Sequence, residues 1–162
     1  MVEKECRVVG IAEFRTAGNP GSLMAYGLGS CVGVTLYDRR SRIGGLAHIM
    51  LPSSRLFNKK PVPGKFADTA IEAVLRELSE KGADVNALEA KITGGANMFE
   101  GIKIEAVPIG LRNVSAARAK LRENGVHIVA EDVGGIHGRT ILFTLEDGRL
   151  EIRKLNQPAF YI

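Results

Sequence analysis

The sequence predicts an α/β fold of the α+β type, in which a layered, largely antiparallel β-sheet core has two main helices packed outside it. Three observations predict this class. Short segments of strand-like residues follow one another through tight turns, and two longer segments have the spacing of amphipathic helices. The hydrophobic and charged fractions, 45% and 25%, are those of an ordinary globular protein. With 162 residues, we expect a single domain over residues 1–162.

Seven strands are predicted, most of them in hairpins. The first three are residues 7–14, 32–37 and 43–50, and the polar turn at residues 38–42 predicts that the second and third form an antiparallel pair. Four more are predicted at residues 90–93, 126–130, 140–144 and 150–154. The turn Glu146-Asp147-Gly148 predicts a hairpin between the last two.

Two helices are predicted between these strands. Residues 66–81 carry apolar side chains at helical spacing, and Gly82 supplies a left-handed stop. The second helix is predicted to begin at Asn113, a favourable N-cap residue, and to end at Gly125. Both helices therefore have one face for the core and one for solvent.

Composition excludes several classes of protein. Cys6 and Cys31 are too few for a disulfide framework, and neither lies in a cysteine and histidine cluster with metal-ligand spacing, so we expect no metal and no organic cofactor. No signal-peptide pattern and no apolar run of about 18 residues is present, which predicts a cytoplasmic protein without membrane insertion. The net charge of +4 is modest and aromatic residues are only 6%, so a nucleic-acid partner is not expected.

Cys31 is the candidate nucleophile. It follows a glycine-rich loop at the start of a predicted strand, where a thiol is accessible and backbone N–H groups can hold an oxyanion. Gly29 and Ser30 supply the loop support and the neighbouring amides. The alternative is that Cys31 is an inert, buried apolar residue, which is common for free cysteine.

His48 is the candidate general base. An even number of residues in the turn at 38–42 places His48 opposite Gly33, and side chains that alternate along a strand then put Cys31 on the same face. The Cβ atoms of Cys31 and His48 would be diagonal neighbours somewhat under about 7–8 Å apart. Gly33, which has no side chain, would leave the space between them open. An odd turn or a bulge would instead turn His48 to the other face.

The remaining thiol and imidazoles are weaker candidates. His127 begins a predicted strand and His137 lies in a glycine-rich loop, so both are expected to be structural or surface residues. Cys6 lies among charged residues near the N-terminus and is expected to be incidental. The basic residues of the second helix are expected to form a solvated face.

Several segments together resemble the family of chemoreceptor glutamine deamidases, CheD. They occur in order between residues 8 and 154: GLGSCVGV at 27–34, GLAHIMLP at 45–52, GKFADTA at 64–70, GGA with MF at 94–99, IG with RN at 109–113, and ED with GG and GR at 131–139. The resemblance implies a protein-glutamine deamidase that converts glutamines of methyl-accepting chemotaxis receptors to glutamates and releases ammonia. It also implies a papain-like Cys/His site with Cys31 as nucleophile and His48 as base, and a CheC-type phosphatase as partner.

Two residues depart from the family pattern: Val133, where threonine is common, is expected to affect packing, and Ala25 bears on the chemistry. The family often has a threonine, regarded as a third catalytic member that orients the histidine, where this chain has Ala25. Because an alanine side chain cannot accept a hydrogen bond, a backbone carbonyl or a hydroxyl such as that of Tyr26 or Ser30 must orient His48, or activity is reduced. The alternative function is therefore a catalytically weak adaptor that binds chemoreceptors or the CheC phosphatase.

Overall fold

The described residues form three layers. One layer consists of two α-helices, and each of the other two is a five-stranded sheet. The structure is a computed structural model that describes residues 5–99, 101 and 106–162, without the side chain of Leu56. The described strands are β1 (Glu5–Val8), β2 (Phe14–Gly18), β3 (Gly21–Leu28), β4 (Val32–Asp38), β5 (Ile43–Ile49), β6 (Glu89–Gly94), β7 (His127–Val133), β8 (Arg139–Thr144), β9 (Leu150–Arg153) and β10 (Phe160–Tyr161), and the helices are α1 (Ala67–Glu80) and α2 (Ile109–Glu123). The layered α+β architecture predicted from the sequence is confirmed.

The strands form what we call the central sheet and the outer sheet. The central sheet has the order β2-β5-β4-β6-β7 and the outer sheet the order β1-β3-β8-β9-β10. Among the described strands, β1 with β3 and β6 with β7 pair in parallel, and the other six pairings are antiparallel. The largely antiparallel arrangement is therefore also confirmed.

The central sheet is buried on both faces. One face packs against α1 and α2 through residues such as Val34, Ile71 and Leu121. The other face packs against the outer sheet through Tyr37 and Leu46. All seven residues of β4 are buried, because this strand lies in the middle of the middle layer.

The hairpin of β4 and β5 has the register that the sequence predicts. The turn contains the four residues 39–42, and Gly33 pairs with His48 while Val34 pairs with Ala47. Side chains opposite one another lie on the same face of a sheet. His48 is thus on the face of β5 that meets the outer sheet.

Three predicted boundaries are wrong. Residues 7–14 are two strands, since a turn with a hydrogen bond from the Glu13 N–H to the Gly10 carbonyl moves the chain from the outer sheet to the central sheet. The glycine-rich loop that precedes Cys31 begins later than expected, because residues up to Leu28 belong to β3. Helix α2 begins at Ile109, so Asn113 lies inside the helix and is not its N-cap.

The expectation of open space at Gly33 is also wrong. A Cβ atom at Gly33 would lie 2.8 Å from Ile141 Cδ1, 3.1 Å from Leu28 Cδ1 and 3.3 Å from Thr93 Cγ2. The outer sheet supplies Leu28 and Ile141, and its side chains fill the volume that the glycine leaves. Gly33 is required for the close approach of the two sheets.

We predict that Gly33→Ala lowers the free energy of unfolding by about 1–3 kcal/mol, because the added methyl group overpacks the space between the sheets. The measurement is urea unfolding followed by circular dichroism. The matched control is Gly18→Ala in β2, where the added Cβ would meet its nearest atom, Ile43 Cγ1, at an ordinary 3.9 Å. An equal loss of stability in both variants would contradict this account of Gly33.

Candidate active site

Cys31 lies at the edge of a pocket of about 650 Å³. The pocket is bounded by Gly27 near the end of β3, by the loop from Gly29 to Cys31, by residues 96–99 and by the first turn of α2. Its walls include Met98 and Phe99, whose side chains are 54% and 74% exposed. The thiol itself is half-buried, so Cys31 is neither a core residue nor a fully solvated one.

Hydrogen bonds hold three consecutive carbonyl groups of the loop before β4. The Gly29 carbonyl accepts from the Ala96 N–H at 2.8 Å, and the Cys31 carbonyl accepts from the Gly95 N–H at 2.9 Å. Between them, the Ser30 carbonyl accepts from Asn113 Nδ2 at 3.0 Å. The backbone that carries the candidate nucleophile is therefore held by three hydrogen bonds.

Gly94 allows the contact between this loop and the end of β6. It has φ +101°, and a Cβ atom there would lie 2.4 Å from the Cys31 carbonyl oxygen. A side chain at this position would strain the backbone and would also clash with the loop. The close approach explains why paired glycines occur at this point of the sequence.

His48 lies on the face of the β4 and β5 hairpin that packs against the outer sheet. Gly33 is directly opposite His48, and Cys31 is two residues before Gly33, so Cys31 and His48 are diagonal across the β4 and β5 pair. The His48 side chain is 1% exposed. The strand register thus places the two candidate residues on the same face of the hairpin, diagonal to one another.

A backbone carbonyl orients the His48 ring. His48 Nδ1 lies 3.3 Å from the carbonyl oxygen of Val9. A carbonyl can only accept, so Nδ1 carries the hydrogen and the neutral ring keeps a lone pair on Nε2. Nε2 is buried and has no hydrogen-bond partner among the described residues, so it is available to take a proton.

The Val9 carbonyl takes the place expected of a side-chain hydroxyl. Ala25 is fully buried in β3, where it pairs with Ile141 of β8. Tyr26 is 56% exposed. Of the alternatives that the sequence leaves open for orienting His48, the structure therefore contains the backbone carbonyl.

Burial favours the neutral form of both candidate groups. It raises the pKa of the Cys31 thiol and lowers the pKa of His48, although the Val9 carbonyl and the charge of Glu13 act in the opposite direction on His48. Within the described residues, His48 Nε2 has no hydrogen-bond partner, so the thiol and the imidazole are not joined by a hydrogen bond. Both pKa shifts favour the neutral thiol and the neutral imidazole over a thiolate and imidazolium pair.

The sequence reasoning missed two residues that organise the site. Asn113 is fully buried in α2 and donates from Nδ2 to the Ser30 and Met50 carbonyls. Arg139 donates to Asp132 and to the carbonyls of Gly134 and His137, which holds the loop next to the pocket. The signal for Asn113 was a polar residue four positions before Ala117 on the buried stripe of α2.

The other weak candidates lie where the sequence predicts. His127 and His137 are exposed, and Cys6 is an exposed residue of β1. Among the described residues, no group of three or more histidine, cysteine, aspartate or glutamate side chains could hold a metal ion. No helix in the described part of the chain is long and apolar enough to cross a membrane.

Comparison with known proteins gives the family. The sequence profile described as CheD chemotactic sensory transduction matches residues 50–154. The chain belongs to the CheD family. This membership confirms the resemblance seen in the sequence motifs.

Three relatives illustrate the similarity. A protein of Thermotoga maritima, named chemoreceptor glutamine deamidase CheD, is 44% identical over 149 residues, which are 92% of each chain. Two proteins named probable chemoreceptor glutamine deamidase CheD come from Thermococcus kodakarensis and Caldanaerobacter subterraneus. The first is 42% identical over 91% of this chain and 92% of the relative, and the second is 43% identical over 99% and 100%.

We predict that the alkylation rate of Cys31 by iodoacetamide rises with pH up to and beyond pH 9.0, the ordinary thiol pKa. Iodoacetamide reacts with the thiolate, and a thiol below its pKa gains about tenfold in thiolate per pH unit. The rate would be measured by mass spectrometry in a Cys6→Ser background, with Cys31→Ala as the blank. A rate that is already constant between neutral pH and pH 9.0 would indicate a preformed ion pair and contradict the prediction.

We also predict that His48 destabilises the fold in acid. Its folded pKa lies below the ordinary 6.5, so the unfolded chain binds more protons below that pH and the free energy of unfolding falls as the pH falls. Urea unfolding at a series of pH values would show a smaller acid loss in His48→Gln than in the wild-type protein. A parallel pH dependence of the two proteins would be the opposite result.

Proposed function

We propose that this chain is a protein-glutamine deamidase that converts glutamines of methyl-accepting chemotaxis receptors to glutamates. The observation that carries the proposal is the placement of Cys31 at the pocket with the free Nε2 lone pair of His48 on the same face of the hairpin. The names of the relatives, which are chemoreceptor glutamine deamidases, support the same reaction and the same class of substrate.

The first half of the reaction is acyl transfer to the thiol. His48 Nε2 takes the Cys31 proton as the sulfur attacks the carboxamide carbon of the substrate glutamine. The carbonyl oxygen becomes an oxyanion, which the backbone N–H groups of Ser30 and Cys31 stabilise, while Gly29 supports the loop. The intermediate collapses as the His48 imidazolium protonates the amine, so that ammonia leaves and a thioester remains.

The second half is hydrolysis of the thioester. His48, neutral again, takes a proton from water as the water oxygen attacks the thioester carbon. Collapse of the second intermediate releases glutamate, and the proton returns to the Cys31 sulfur. The sum is glutamine and water to glutamate and ammonia, and no step calls for a metal or an organic cofactor.

The neutral forms of the thiol and the imidazole are compatible with this chemistry. In a site without substrate, catalytic hydrogen bonds are often long and tighten only when the substrate is bound. A substrate that fills the pocket excludes water from Cys31, and proton transfer to His48 then accompanies the attack. The Val9 carbonyl keeps the ring in the tautomer that can accept this proton.

Location and partners are further parts of the proposal. A thiol nucleophile must stay reduced, which favours action in the cytoplasm. A CheC-type phosphatase is proposed as a binding partner on the sequence resemblance. The modest positive charge of the chain favours an acidic surface on whichever helix of the receptor presents the glutamine.

The competing function, a catalytically weak adaptor, rested on Ala25. Ala25 no longer indicates weak catalysis, because the Val9 carbonyl provides His48 Nδ1 with an acceptor. The carbonyl holds the same tautomer of the ring as a hydroxyl oxygen that accepts from Nδ1 would. The absence of the family threonine is therefore compatible with an active enzyme.

We predict that the purified protein converts glutamines of a receptor cytoplasmic fragment from the same source to glutamates, as mapped by peptide mass spectrometry. Cys31→Ala should reduce the rate to the uncatalysed level, because the nucleophile is lost. His48→Ala should reduce it by about 10²–10⁴-fold, the usual contribution of a general base. Cys6→Ala is the matched control and should retain the wild-type rate.

An adaptor would give a different pattern. The wild-type protein would bind the fragment, with or without CheC, and every glutamine would stay intact. Cys31→Ala would then bind as well as the wild-type protein and would keep its biological effect. Either finding would remove the deamidase proposal.

A further inference from the structure

Asn113 contacts the peptide that carries the nucleophile. It is fully buried in α2, and its Nδ2 donates to the Ser30 carbonyl at 3.0 Å and to the Met50 carbonyl at 3.0 Å. Ser30 directly precedes Cys31, and Met50 is two residues after His48. One amide group therefore joins the two segments that carry the proposed nucleophile and base.

We propose that Asn113 is a positioning residue that sets the direction of the Cys31 N–H, one of the two amides that stabilise the oxyanion. The inference rests on the proposed function, in which that N–H faces the developing negative charge. Asn113 acts through the Ser30–Cys31 peptide and does not touch the reacting atoms.

The first step is the geometry of the peptide. In a trans peptide the carbonyl of one residue and the N–H of the next point in opposite directions. A hydrogen bond that holds the Ser30 carbonyl toward Asn113 consequently holds the Cys31 N–H away from Asn113. Among the loop and turn backbone hydrogen bonds of the described residues, none uses the Cys31 N–H, so this donor stays available.

The second step is the orientation of the Asn113 amide. Both of its partners are carbonyl oxygens, which can only accept, so the nitrogen must face both of them. The Asn113 Oδ1 atom is left buried without a partner among the described residues. Leaving a buried acceptor unsatisfied costs about 1–3 kcal/mol. This cost is compatible with an amide group whose orientation serves to hold the Ser30 carbonyl.

The third step is the difference between Ser30 and its neighbours. The carbonyls of Gly29 and Cys31 are held by the backbone N–H groups of Ala96 and Gly95. The Ser30 carbonyl is held by a side chain. The direction of the Cys31 N–H can therefore be changed by a substitution in α2 that leaves residues 29–31 untouched.

The experiment compares two reactions of the same thiol. Acylation of Cys31 by p-nitrophenyl acetate passes through a tetrahedral oxyanion, gives an acetyl thioester and releases p-nitrophenolate. Alkylation by iodoacetamide forms a carbon–sulfur bond with loss of iodide, and no oxyanion arises. Both reactions would be followed in a Cys6→Ser background with Cys31→Ala as the blank, and neither needs a receptor.

We expect Asn113→Leu, which is similar in size and lacks both donors, to slow acylation by about tenfold or more, as loss of an oxyanion contact does. The limiting alkylation rate at high pH should stay within about twofold, since it follows the thiolate and not the oxyanion site. With a receptor fragment, kcat should fall with acylation while KM changes little, as for an interaction made only in the transition state.

Two further variants complete the test. Asn113→Asp keeps the shape but places acceptor oxygens beside the Ser30 and Met50 carbonyls, so its ratio of acylation to alkylation should be no higher than that of Asn113→Leu. It also provides the answer if the leucine variant does not fold. Leu121→Ala is the matched control, because it removes buried volume from the same helix away from the loop and should leave the ratio unchanged.

If Asn113→Leu leaves the ratio of acylation to alkylation unchanged, whether or not both rates fall, the role of Asn113 is overturned. A changed ratio in a protein whose wild type leaves receptor glutamines intact would instead retain the role of Asn113 and remove the proposed substrate. The two failures are therefore distinguishable.

Discussion

The antiparallel pairing of β4 with β5 is the constraint on which the rest of the site depends. It places Gly33 opposite His48 and so brings Cys31, which directly precedes β4, to the same face as the imidazole. Because side chains alternate along a strand, a slip of one residue would move His48 to the helix side of the sheet. The four-residue turn at 39–42 and the two buried faces of β4 prevent such a slip.

Close backbone contacts then hold the loop that carries Cys31 and precedes β4. Gly94 lies against the Cys31 carbonyl, and a Cβ atom at Gly110 in the first turn of α2 would be 2.5 Å from the Gly95 carbonyl oxygen. Glycines at these positions let β6, the Cys31 loop and the start of α2 meet without intervening side chains. A rigid backbone of this kind can present amide donors to an oxyanion without rearranging during the reaction.

The electrostatics of the site follow from its depth. His48 is between two sheets, where desolvation disfavours the imidazolium, and Cys31 is half-buried, where desolvation disfavours the thiolate. The Val9 carbonyl fixes the tautomer of the ring without adding a charge. Because the thiolate is the reactive form of cysteine, burial that favours the neutral thiol slows unspecific oxidation and alkylation of Cys31.

The sequence by itself determined the hairpin register, the two amphipathic helices and the pair of Cys31 and His48, because these depend on alternation, helical spacing and turn length within short segments. Only the tertiary structure decided the break at Gly10, the filling of the space at Gly33 by Ile141, and the Val9 carbonyl at His48. Asn113 is the clearest case, since its hydrogen bonds reach residues 83 and 63 positions away. Contacts between distant segments leave no local pattern, and a backbone carbonyl is present in every residue, so sequence reasoning could not have assigned them.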